Sequence, residues 1–73
     1  MAQKAEDTST NKININTATV EELQTLPGIG PALAKNIIEH RSKVKKFNKI
    51  EEIINVKGMG EKKFLKIKDR LVI

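Results

Sequence analysis

The sequence has no cysteine, tryptophan or tyrosine, one histidine and two phenylalanines. Each shortage excludes something. Without cysteine neither a disulfide framework nor a thiolate metal centre can form, and His40, with no partner histidine, cysteine or suitable acidic cluster, makes no metal site alone. Redox compartment cannot be read from a chain with no thiol. Phe47 and Phe64 are both expected inside, which leaves no exposed aromatic for stacking on unpaired bases. No apolar run approaches the ~20 residues of a membrane helix, and Met1-Ala2-Gln3-Lys4-Ala5-Glu6 lacks the apolar core of a signal peptide. As given, the chain reads as soluble, without membrane contact, and as a segment that a longer protein could carry. At 73 residues it makes one domain, hiding about 60% of its unfolded surface. That is too little for a deep catalytic cavity or a small-molecule substrate, and no enzyme is expected.

What is present is basic charge, unevenly placed. Residues 1–26 carry two lysines against four acids, whereas residues 27–73 carry twelve Lys/Arg against five acids. Such a surface suits a polyanion partner, although Lys/Glu-rich thermophile surfaces look alike. Lys62, Lys63, Lys66 and Arg70, like Lys45 and Lys46, read equally as DNA contacts or as a solvated helix face.

The second positive feature is an internal repeat. Pro27-Gly28-Ile29-Gly30 and Lys57-Gly58-Met59-Gly60 lie 30 positions apart, and their surroundings keep register. Val20-Glu21-Glu22-Leu23 falls on Ile50-Glu51-Glu52-Ile53, Leu26 on Val56 and Ile37 on Ile67. A chance Gly-x-Gly would not bring matching flanks, so the chain is one unit used twice.

Taken in order, residues 1–12 are polar and aperiodic, a disordered tail or linker. Ile13-Asn14-Ile15-Asn16 alternates as an extended segment laid on the helices, too short for a sheet. Thr19-Val20-Glu21-Glu22 fits a capping box that opens a helix at Val20, and Pro27 ends it. Gly28 and Gly30 supply positive φ on either side of an inward Ile29. Pro31 then opens a helix to about Lys43, with Leu33, Ala34, Ile37 and Ile38 apolar. Phe47 anchors the connector. Asn48-Lys49-Ile50-Glu51 offers a second capping box, and after the second hairpin a helix from Glu61 to Arg70 buries Phe64, Ile67 and Leu71. The apolar end Leu71-Val72-Ile73 tucks in partly. This is an all-α architecture: residues 13–73 form a tandem of two units, 19–43 and 48–70, of four to five short helices.

Each hairpin ends where a helix begins, so amides around Gly30 and Gly60 and in the next turn lack intrahelical partners and point the same way. That is an anion site. Glycine keeps a Cβ from holding a phosphate off the backbone, and two glycines one residue apart form a small nest of donors. The residues that carry phosphate binding are Gly28, Ile29, Gly30 and Lys35 from the first hairpin, and Lys57, Gly58, Met59, Gly60, Lys62 and Lys63 from the second. The Walker and dinucleotide patterns do not fit, for lack of Lys-Ser/Thr after Gly30 and of a third glycine after a strand. Glu21-Glu22 and Glu51-Glu52 sit at helix starts, where acids complement the dipole, and no nucleophile–base pair accompanies them.

Leu23-Gln24-Thr25-Leu26-Pro27-Gly28-Ile29-Gly30-Pro31-Ala32-Leu33-Ala34 resembles the helix-hairpin-helix DNA-binding motif, with Ala34 as the small residue four positions beyond the second glycine. Ile13-Asn14-Ile15-Asn16-Thr17-Ala18, Glu22-Leu23, Leu26 to Gly30, Ile37-Ile38, Arg41 and Phe47 resemble, more narrowly, the tandem domain of ComEA-type competence proteins. The resemblance covers Ile13 to about Ile67. It implies sequence-independent binding of double-stranded DNA through hairpin amides and lysines. It further implies a DNA-uptake role at the extracellular face of the membrane or in the periplasm, beside other uptake proteins. No cofactor is expected, although a monovalent cation on the hairpin carbonyls, as some relatives of the motif hold, stays open.

The chain departs from the family pattern at Lys45-Lys46, where a glycine is common, and at Lys49, where a Ser/Thr cap is common. Met59 replaces isoleucine and Phe64 the small residue, which puts close packing of the second hairpin, and its part in binding, in question. The rival class is a protein-interaction or architectural module built on the same motif. Basic charge beginning at the first hairpin favours DNA over it.

Overall fold

The computed structural model describes residues 12–73. The expected tail at residues 1–11 lies outside the described residues. At its edge Lys12 is tied to the domain, its Nζ donating to the Asp69 carbonyl at 3.0 Å.

Two residues of strand β1, Ile13–Asn14, pair in parallel with β2, Leu71–Val72, with Ile13 opposite Leu71. This corrects the expectation that the lead-in is too short to join a sheet. A segment with no hairpin partner nearby finds one at the other end of the chain, and the Ile15 amide extends the ladder to the Val72 carbonyl at 3.0 Å. The bridge ties the two ends of the repeat together and buries Ile15 and Leu71 beneath it.

Helix α1, Val20–Leu23, opens as its capping box requires. Thr19 Oγ1 accepts from the Glu22 amide at 3.1 Å, and Glu22 Oε1 accepts from the Thr19 amide at 2.9 Å. It ends before Leu26, which finishes the unit through a tight turn. Helix α2 spans Pro31–Val44 and helix α3 spans Gly60–Ile67. The counterpart of α1 is a 3₁₀ helix, Ile50–Asn55, and a short 3₁₀ turn, Lys68–Arg70, extends α3.

The second capping box, expected between Asn48 and Glu51, does not form. Lys49 is the N-cap and gives no side-chain bond, while Glu52 Oε1 accepts from the Asn48 amide at 2.9 Å. With no short polar side chain at the cap, the first turn winds as 3₁₀, whose i→i+3 bonds leave fewer donors open.

The core is the repeat read in three dimensions. Leu23 and Ile53, Leu26 and Val56, Ile29 and Met59, Ala34 and Phe64, and Ile37 and Ile67 are all buried pairs at the 30-residue offset. Phe47, 1% exposed, packs with them from the connector. Among the described residues no polar or charged residue is buried. The second hairpin is therefore closely packed: Phe64 takes the place of Ala34 inside the core, and Met59 follows the path of Ile29. An unbranched methionine and a large ring suit that exchange, because methionine fills irregular space.

Candidate nucleic-acid interface

The first hairpin is closed by the Ile29 amide donating to the Leu26 carbonyl at 3.1 Å, the second by the Met59 amide donating to Val56 at 3.0 Å. Ile29 and Met59 are buried as well. Both amides are thus spent inside the turns, and these two residues serve as pegs that seat the loops on the core. What each loop turns outward is the backbone of its glycines, all four of which are exposed. Among the described residues the amides of Gly28, Gly30 and Gly58 have no backbone acceptor.

Gly28 has φ +82 and Gly58 φ +92, a left-handed backbone that a side chain resists. The flanking glycines differ. Gly60 is at φ +76, but Gly30 is extended at φ −94, ψ −175. Positive φ on both sides of the central apolar residue therefore holds for the second loop and not for the first. Pro31 accounts for this, since a proline forces the residue before it into the extended region. At Glu61, which follows Gly60, no such restriction applies. Helix α2 consequently starts at Pro31 with Gly30 as N-cap, and α3 one position earlier in the repeat with Met59 as N-cap.

The lysines fall around these loops unequally. Lys35 is exposed one turn into α2, Lys57 is exposed on the approach to the second loop, and in the first turn of α3 Lys62 is exposed and Lys63 half-buried. Glu61, exposed between Gly60 and Lys62, is the one acid in that turn. The structure thus brings Lys57, Gly58, Gly60, Lys62 and Lys63 together at one loop, and leaves Gly28, Gly30 and Lys35 as a less charged loop with more open backbone. An ideal Cβ at Gly28 or Gly30 would meet nothing within 4 Å.

Side chains that reach across the fold hold this arrangement. Asn16 exchanges two hydrogen bonds with the Phe47 backbone: its Nδ2 donates to the carbonyl at 3.0 Å, and its Oδ1 accepts from the amide at 2.7 Å. Asn14 Oδ1 accepts from the Asn16 amide at 2.8 Å. The Asn-x-Asn lead-in is therefore a device for fastening the connector. Arg41 Nη1 donates to the carbonyls of Ile15 at 2.9 Å and Ala18 at 3.0 Å, which commits it to the fold rather than to a ligand. Asn36 Nδ2 donates to the Lys57 carbonyl at 3.1 Å. The bonds from Asn16 to Phe47, from Arg41 and from Asn36 each join residues more than twenty positions apart. His40 stacks on Phe47, ring centroids 5.6 Å apart and planes at 14°. Among the described residues no group of three or more His, Cys, Asp or Glu side chains is placed to hold a metal ion.

Two short helical pairs, each folded over a glycine loop that heads the next helix, packed through equivalent core positions, define a tandem helix-hairpin-helix domain. The chain belongs to the helix-hairpin-helix motif family, whose model matches residues 8–72. ComE operon protein 1 of Bacillus subtilis is 49% identical over 61 residues, covering 84% of this chain and 30% of that protein. An uncharacterized protein of Haemophilus influenzae is 39% identical over 72 residues, 97% of this chain and 64% of its own length. The Xenopus laevis endonuclease/exonuclease/phosphatase family domain-containing protein 1 is 42% identical over 65 residues, 89% of this chain and 12% of that protein. This chain therefore spans only a minor part of the length of the Bacillus and Xenopus relatives.

Proposed function

We propose that the domain binds double-stranded DNA without sequence preference, its two hairpins meeting phosphates of the duplex through backbone amides and adjacent lysines. The observation that carries this reading is the pairing of outward glycine loops with lysines in the first turns of the helices that follow, in a domain that buries both of its phenylalanines. An amide nest at a helix N-terminus prefers an anion, and regularly spaced phosphates supply one to each hairpin. Contacts of this kind read no base edges, so affinity is the same for every sequence. With no exposed aromatic to stack on unpaired bases, the duplex is the better ligand.

Similarity to ComE operon protein 1 extends the proposal to DNA uptake during competence, with this domain as the DNA-receiving, non-catalytic part. Other uptake proteins would be its neighbours, at the extracellular face of the membrane or in the periplasm. Among the described residues no helix is long and apolar enough to cross a membrane.

The test is competition binding. Labelled duplexes of unrelated sequence should bind within about twofold of one another, and a single strand of equal length more weakly. A preference of tenfold or more for one duplex, or tighter binding of the single strand, would overturn the phosphate-based reading.

A further inference from the structure

The two hairpins are not held in the same way. The first projects from the start of α2, with open space around Gly28 and Gly30. The second lies against the flank of that same helix: a Cβ at Gly58 would stand 3.4 Å from Leu33 Cδ1 and 3.8 Å from Asn36 Nδ2. Leu33 and Asn36 are three residues apart and share one face of α2. One helix of 14 residues thus begins at one loop and braces the other.

The bond from Asn36 falls on the Lys57 carbonyl, and that carbonyl shares a peptide plane with the Gly58 amide. In a trans peptide the C=O and N–H point in opposite directions. A donor that draws the Lys57 oxygen toward α2 therefore turns the Gly58 N–H away from α2, to the outer side of the loop. Gly58 on its own would not hold that plane, because glycine tolerates a wide range of φ and ψ. At the first hairpin the equivalent carbonyl, that of Pro27, receives no side-chain bond among the described residues; the position matching Asn36 is Lys66.

We propose that Asn36 is a positioning residue for the second hairpin: it fixes the Lys57–Gly58 peptide so that the Gly58 amide faces a ligand phosphate, and couples that loop to the helix that starts the first. The inference rests on the DNA-binding reading above. Lys57 gains from the same bond, since its main chain is anchored while its side chain stays exposed. From the other unit, Arg70 Nη1 donates to the Thr25 carbonyl at 3.3 Å, so the braces run both ways although not at equivalent positions.

The experiment compares the native chain with Asn36→Ala by following the amide signals of Gly30 and Gly58 in two-dimensional NMR as a random duplex is added, with affinity measured over a range of salt. In the native chain both signals should shift. In Asn36→Ala the Gly30 response should persist and the Gly58 response fade, with affinity about fivefold lower and the log–log salt slope shallower by about 1, as for one lost phosphate contact. Equal Gly58 responses and equal slopes in the two proteins would overturn the inference while leaving DNA binding intact. Equal loss at both glycines would make Asn36 a general structural residue and overturn it too. No response at either glycine of the native chain would overturn the DNA reading and this inference together.

Discussion

At the scale of single residues, backbone conformation separates substitutions that look alike. Gly28→Ala forces a Cβ into φ +82 and costs about 1–2 kcal/mol of stability. Gly30 is extended with nothing within 4 Å, so Gly30→Ala leaves the fold unchanged and places one methyl at the mouth of the first loop. Lys45 is the reverse case, a lysine at φ +79 closing α2. Lys45→Gly should raise stability by about 1 kcal/mol, because relief of the positive φ exceeds the added freedom of the unfolded chain. For a domain this small that is a rise of roughly 4–8 °C in Tm, read by thermal unfolding. The glycines themselves were legible as loop formers. Positive φ was expected at Gly30 as at Gly28, but glycine accepts either sign, and the signal that separates Gly30 from Gly60 is the residue that comes next, Pro31 or Glu61.

At the scale of elements, local signals and distant ones fared differently. The α1 capping box was legible because it is a four-residue pattern whose partners are covalent near-neighbours. The 30-residue period marked the core for the same kind of reason, since each buried pair repeats an apolar choice. The β1–β2 bridge, the Asn16–Phe47 exchange and the Arg41 clasp had no such pattern. Each depends on segments that only the finished fold brings together. Arg41 is the most consequential of these, because one guanidinium nitrogen serves two carbonyls of the lead-in. Arg41→Ala should destabilise the domain by about 2 kcal/mol, the range for hydrogen bonds from a charged donor. Arg41→Lys should recover less than half of that, since the lysine nitrogen sits on a shorter side chain and falls short of the Nη1 position from which both carbonyls are reached. Chemical denaturation of the two variants measures both; native-like stability in Arg41→Ala would show that the lead-in is held without the clasp.

At the scale of the molecule, a duplication has produced two loops of unequal character on one core. The first has freer backbone and little charge. The second is lysine-rich and braced by α2. Both remain at the surface because their apolar centres, Ile29 and Met59, are anchored in the shared interior. Basic charge is concentrated in residues 27–73, from the first loop onward. The sequence alone made that concentration visible, and with it the larger share of lysines at the second loop; what it did not show is that α2 braces that loop at Gly58.

The central claim is that these loops bind phosphates, and salt dependence tests it most directly. Fluorescence anisotropy of a labelled random duplex would be recorded at several salt concentrations with the native chain and with Gly30→Ala, both first shown to unfold at the same temperature. The account predicts native binding that weakens with salt at a log–log slope of about −3 to −6, as for roughly four to six phosphate contacts. It also predicts weaker binding by Gly30→Ala on every sequence tried. A folded native chain that binds no duplex at low salt, or a Gly30→Ala variant that binds as well as the native chain, would contradict it.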